Sequence, residues 1–210
     1  MSGINGLPGD GNDRWEQARR RARGLADYGL GQAVRTYYTI YFPVGLAALI
    51  VLGAVAAGLT FGDELGWPEL IGFGFLLAGL GAMAGGLIYN SKRLSPAVEA
   101  GRVGVVLSLE DDEKKQIRRE LLGKEPVLPE HLVVARGVAV QTRKVLALQL
   151  VTLPALPLAF IPQVFRADTF LWWLAALAIV FQTLAAVIAV RQFRQAGRFL
   201  AQTAGKANIR

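Results

Sequence analysis

The order of apolar and polar residues divides this chain before any other property is considered. Four stretches carry no charged residue: Thr36 to Gly62, Leu70 to Ser91, Val145 to Phe165 and Thr169 to Val190, of 27, 22, 21 and 22 residues. A soluble helix keeps one polar face, and a run such as LAALIVLGAVAAGL (46–59) has none. A helix rises about 1.5 Å per residue, so about 20 apolar residues cross a ~30 Å hydrocarbon core. Every stretch is that long, and a charge at its centre would cost about 2.5–3.5 kcal/mol. The pattern predicts an all-α polytopic membrane protein with spans 37–60, 70–90, 145–165 and 170–190. The linkers within each pair are short, which predicts two antiparallel transmembrane hairpins, 37–91 and 145–191.

The segment between them, 92–144, is too long for a plain connection and is expected to be a helical hairpin. Ser95-Pro96 predicts the start of a short helix reaching about Leu107, with Pro at its first position. Ser108 is placed to cap a second helix whose first turn is acidic and whose later turns carry Lys114, Lys115, Arg118 and Arg119. Gly123 is its natural stop. Leu109, Ile117, Leu121 and Leu122 give it one apolar side. Pro129 then opens a helix expected to continue into the third span, with Leu132, Ala135, Ala139 and Val140 facing Ile117 and Leu121. At the N-terminus the glycine-rich residues 1–12 are expected to be disordered, in a basic tail that runs to residue 36. Asp13 is expected to cap a helix with Trp15, Ala18, Ala22 and Leu25 on one side. The tail 192–210 extends the fourth helix.

Charge orients this arrangement. The chain holds 23 Lys and Arg against 16 Asp and Glu, a net charge of +7. With four spans, 22 of the 23 basic residues fall on one side: six before the first span, eleven in 91–144 and five from Arg191 onward. Basic loops stay inside, so the reading is a cell inner (plasma) membrane protein with both termini and the 92–144 loop cytoplasmic. Tyr37, Tyr38, Tyr41 and Tyr89 then sit at the inner interface, and Trp67, Trp172 and Trp173 near the outer one. Arg19, Arg20, Arg21 and Arg23 are candidate contacts for anionic lipid, at about 1 kcal/mol each near the surface. A purely topogenic cluster explains them equally well. Eight acids offset the eleven basic residues of 91–144, which argues against nucleic acid as a partner. Ala54-Val55-Ala56 fits a small-x-small cleavage pattern, but 36 residues precede the span 37–60 and the apolar run exceeds a signal peptide's core, so an uncleaved span is expected.

Inside the spans the informative residues are small, proline or amide. Gly74, Ala78, Ala82 and Gly86 recur every four residues and form a stripe for close packing, with Gly81 and Gly85 beside it. The stripe serves either packing between the first and second spans, which is the expectation, or self-association. Pro154, Pro157 and Pro162 predict a kinked third span, either a bent structural helix or a broken helix along a substrate path. Gln182 is a candidate intramembrane polar contact, read as interhelical glue ahead of a ligand-coordinating amide.

Candidate chemistry is sparse. There is no Cys, so thiolate metal sites and Cys nucleophiles are excluded. The single histidine, His131 beside Glu130, is expected to face solvent at a helix start. No ionisable residue lies at membrane depth, where proton relays and ion pumps need one. No catalytic residue, metal or cofactor is expected. The acids of the outer linkers, Asp63, Glu64, Glu69 and Asp168, are the one carboxylate group a lipid-modifying enzyme would have there.

The segment LSLEDDEKKQIRRELLGKEPVLPEHLVVARGVAVQTRK, 38 residues, combines an acidic helix start, Ile-Arg-Arg, a Gly turn, a Pro and an Ala-rich helix. It resembles a pattern found in uncharacterised small bacterial four-span inner-membrane proteins with a cytoplasmic helical loop. The resemblance implies a bacterial inner-membrane location and transfers no active site. The expected function is that of a non-catalytic accessory or regulatory membrane subunit, with the lipid bilayer and a protein or second copy as partners. The alternatives are a small oligomeric transporter or channel subunit and a membrane enzyme acting on lipids.

Overall fold

The structure, a computed structural model, describes residues 8–99, 104–166 and 169–207. In chain order its elements are α1 (Pro8–Ala22), β1 (Ala26–Asp27), α2 (Leu30–Thr36), α3 (Phe42–Phe61), α4 (Trp67–Tyr89), β2 (Val98–Glu99), α5 (Asp111–Leu121), α6 (Leu132–Thr152), α7 (Ala155–Arg166) and α8 (Thr169–Ala207). The described residues are thus predominantly helical, as the apolar runs require. Among the described residues, four helical segments are long and apolar enough to cross a membrane: Leu30–Phe61, Trp67–Leu94, Leu132–Pro162 and Trp172–Ala204. The chain forms two compact units. One comprises residues 1–29, 97–145 and 192–210, and the other residues 30–96 and 146–191.

The first unit has a core of its own. Ala18 and Ala22 of α1 pack with Val105, Leu109, Ile117 of α5, Val134, Ala135 and Ala139 of α6, and Ala196 and Phe199 of α8. The apolar side of α1 is therefore spent on protein, with Trp15 and Leu25 packed against the same core. Helix α1 also starts earlier than expected, at Pro8, where a missing N–H is lost without cost. Residues 1–7 of the expected disordered segment lie outside the described residues.

Two further expectations are corrected here. No helix forms at Pro96: Ala97 O accepts from Tyr28 N at 2.9 Å, and Val98 and Glu99 pair antiparallel with Asp27 and Ala26. Buried Val98 gains a strand partner that a local helix would not supply. The residues that follow, 100–103, lie outside the described residues, and Val105–Ser108 is a 3₁₀ turn. Nor does Ser108 cap α5; its hydroxyl donates to Arg14 O at 3.2 Å. Glu110 is the cap, in a reciprocal box in which Glu110 N donates to Glu113 Oε2 at 2.7 Å. Beyond α5 the chain turns at Gly123, whose φ of 71° favours glycine.

The second unit is built around α4, which packs against both α3 and α7. Pro43 and Pro68 fall in the first turns of α3 and α4, and Gly62, at φ 60°, ends α3. A π-helical turn, Tyr37–Tyr41, joins α2 to α3, and a second, Asn90–Leu94, follows α4. Because α4 has neighbours on two sides, its buried positions are nearly all small: Gly72, Gly74, Ala78, Gly79, Ala82 and Gly86. Such small positions let backbones approach and dispersion contacts accumulate.

Candidate functional site

Positions four apart on a helix drift by about 40° per step at 3.6 residues per turn. Gly74, Ala78, Ala82 and Gly86 therefore rotate across α4 by roughly 120°, and their ends meet different neighbours. A Cβ on Gly74 would lie 2.5 Å from Ile50 O of α3, whereas one on Gly86 would lie 2.8 Å from Val151 O of α6. The glycines that keep one azimuth are seven apart. Gly72, Gly79 and Gly86 face Pro162, the Ala155–Ala159 turn and Val151 in succession. Gly74 and Gly81 face Ile50 and Leu49 of α3 in the same way. The period of seven was present in the sequence and is the signal that the four-residue reading passes over.

The break in the third apolar segment falls at Leu153–Pro154, between α6 and α7. Proline has no N–H, so Pro154 cannot donate to Leu150 O, and Pro157 cannot donate to Leu153 O. Both carbonyls are met from other helices. The Tyr38 hydroxyl donates to Leu150 O, and Gln182 Nε2 of α8 donates to Leu153 O at 2.9 Å. Next to them the buried Tyr37 hydroxyl donates to Val151 O at 3.0 Å. The π turn places Tyr37 and Tyr38 side by side for this, their rings edge to face at 5.3 Å. Tyr89, 5.1 Å from Tyr37, donates to Ala33 O at 2.8 Å and so anchors α2 to α4. These tyrosines read in sequence as interfacial aromatics; the missing N–H groups of two prolines were the clue that something nearby had to donate. A cavity of about 260 Å³ adjoins the break, lined on its polar side by Gln149, Thr152 and Gln182.

In the first unit the one histidine is buried. His131 is 7% exposed and its Nδ1 lies 2.8 Å from Oε1 of Glu120, itself 1% exposed. Trp15 stacks flat on the imidazole, with centroids 4.2 Å apart, and its indole N–H donates to Glu113 at 2.8 Å. This corrects the expectation of a solvent-facing His131: α1 covers it, a long-range contact that local sequence does not announce. The second carboxylate oxygen of Glu120 is buried with no partner among the described residues. Asp27 pairs with Arg143, whose guanidinium lies 4.6 Å above the Phe193 ring.

Of the four arginines placed against lipid, Arg20 and Arg23 are exposed and Arg19 and Arg21 half-buried. Arg20 lies 3.7 Å from Glu16. Of the outer acids, Asp63 and Glu64 sit in a 3₁₀ turn, Glu69 in the first turn of α4, and Asp168 lies outside the described residues. Among the described residues outside the apolar helices, two groups have shifted titration. The hydrogen bond from Tyr28 to Glu99, 3.1 Å, and that carboxylate's charge push the phenol up. Lys114, 2.9 Å from Asp111, holds that carboxyl below its ordinary range. Among the described residues no group of His, Asp and Glu side chains is arranged to hold a metal ion. The chain matches no known family profile, no curated protein and no solved structure.

Proposed function

We propose that the chain is an integral protein of a cell's inner (plasma) membrane, crossing it four times as two antiparallel hairpins. Both termini and the 92–144 segment lie in the cytoplasm. Its role is that of a non-catalytic accessory or regulatory subunit, acting through helix packing and the helical unit formed by its N-terminal, central and C-terminal segments. The distribution of basic residues, 22 of 23 on one side of the apolar segments, supports the orientation. The observation that carries the role is the use of polar groups in the unit of apolar helices. Tyr37, Tyr38, Tyr89 and Gln182 each donate to a backbone carbonyl, which is the work of holding helices in fixed positions. Exposed Arg20 and Arg23 are suited to an anionic membrane surface.

The test is gentle extraction of the protein at native abundance, followed by mass measurement and reporter fusions in the 61–69 and 92–144 segments. A stoichiometric protein partner, lost when charges exposed on α5 are reversed, supports the reading; a solitary particle, or a partner indifferent to those changes, overturns it. A reporter active from the cytoplasm at 61–69 overturns the orientation. A second reading, a small oligomeric transporter or channel subunit, draws on the cavity beside Gln149, Thr152 and Gln182. Four helices rarely enclose a path alone, so a strictly monomeric particle counts against it.

A further inference from the structure

We propose that a groove between α3 and α4 binds one anionic phospholipid, its acyl chain along the apolar floor and its phosphate at Lys92, Arg93 and the Tyr41 hydroxyl. This inference rests on the reading that these helices cross a membrane. The groove has a volume of about 470 Å³ and is lined by Leu46, Leu49, Gly81 and Gly85 in its body. That volume lies within the range of roughly 300–1,000 Å³ usual for small-molecule sites. From Ala78 to Lys92 it covers fourteen residues of helix and π turn, roughly 20 Å at the α-helical rise, which exceeds the ~15 Å of one leaflet's hydrocarbon.

Its mouth is built differently from its body. The two π turns of this unit meet there, one bringing Tyr37 and Tyr41 and the other Lys92 and Arg93. The hydroxyls of Tyr37 and Tyr89 are engaged by carbonyls, but Tyr41 is half exposed and its hydroxyl has no hydrogen-bond partner among the described residues. Lys92 and Arg93 are both exposed, and among the described residues neither has an ion pair. Two exposed cations without an acidic partner among the described residues, and a hydroxyl without a hydrogen bond there, sit at one end of an apolar channel and match a phosphodiester on a hydrocarbon chain. A zwitterionic lipid would bring its own cation to the same place, and electrostatics disfavours it. A second copy of the chain is disfavoured too, since a symmetric pairing about an axis along the membrane normal would set Lys92 and Arg93 against themselves. At Gly45 and Gly85 there is open space: a Cβ on either meets nothing within 4 Å, so a larger side chain there has room to extend into the channel.

The test is native mass spectrometry of the full chain taken from mixed micelles holding equal phosphatidylglycerol and phosphatidylcholine with identical acyl chains. Wild type is expected to retain one phosphatidylglycerol at least tenfold over phosphatidylcholine. Lys92→Gln with Arg93→Gln leaves nine of the eleven basic residues of 91–144 and is expected to abolish the preference. Gly85→Leu fills the channel and is expected to lose both lipids; Gly45→Leu serves if Gly85→Leu fails to fold. Arg194→Gln with Arg198→Gln, exposed cations distant in sequence from the groove, is expected to behave as wild type. Equal retention of the two lipids by wild type, an undiminished preference in the Lys92/Arg93 variant, or loss of a dimer rather than a lipid in Gly85→Leu overturns the proposal. Failure of the underlying membrane reading is distinguishable, because the chain would then stay monodisperse without detergent.

Discussion

Gln182 gives the sharpest prediction, because its partner is unpaired for a covalent reason. Leu153 O has lost its intrahelical donor to Pro157 and is held by Gln182 Nε2 at 2.9 Å. Replacing Gln182 by Leu leaves this partly buried carbonyl unsatisfied, at about 1–3 kcal/mol for an orphaned group. Interhelical bonds in membranes average about 0.6 and reach about 1.7 kcal/mol, so the lower half of that range applies, about 1–1.5. In a Pro157→Ala background the cost should fall below about 0.5 kcal/mol, since residue 157 regains an N–H. The register for that bond exists: one residue further on, Leu158 N already donates to Pro154 O at 3.3 Å. The assay is a double-mutant cycle on stability in mixed micelles titrated with a denaturing detergent, followed by far-UV circular dichroism. A coupling of about 1 kcal/mol is expected between positions 157 and 182, 25 residues apart in sequence. An equal cost of Gln182→Leu in both backgrounds would refute the idea that Gln182 repairs the proline break.

Other outcomes follow from the same geometry. His131→Phe keeps the flat contact with Trp15 but strands Glu120, at about 3–5 kcal/mol for a broken buried pair. Adding Glu120→Leu should restore most of that stability in thermal melts; if the double variant is no more stable than the single, the pair is not what the site depends on. Gly79→Leu should disrupt the unit, because a Cβ there meets Ala159 N at 2.9 Å, whereas Gly85→Leu should leave helicity and Tm near wild type. Reversal of that order in circular dichroism melts would contradict the α4 packing. Asp111 has a folded-state pKa below its unfolded value, so its stabilising contribution is present above about pH 4 and lost as pH falls through the depressed value. The stability difference between wild type and Asp111→Asn should therefore shrink at acid pH, and a difference that grows on acidification would reverse the assignment.

Sequence alone carried the helical class and the four apolar segments, because both depend on local sums. Residue composition over 20 positions decides whether a helix has a polar face, and no tertiary contact is needed to know it. Pro154 and Pro157 likewise announced a break, since the missing N–H is covalent. Tertiary structure decided who repaired it, because Tyr38 and Gln182 are distant in sequence and only the packing of separate helices brings them to those carbonyls. The same physics explains the misplaced residues. Whether Trp15 and His131 meet water, lipid or protein depends on which helix covers them, and α1 covering the start of α6 is a long-range choice. Val98 became a strand residue because Asp27 was there to pair with it, outweighing the local Ser-Pro helix signal. On α4 the glycine pattern showed that backbones must come close; which neighbour each glycine meets was settled by the helix's rotation between α3 on one side and α6 and α7 on the other.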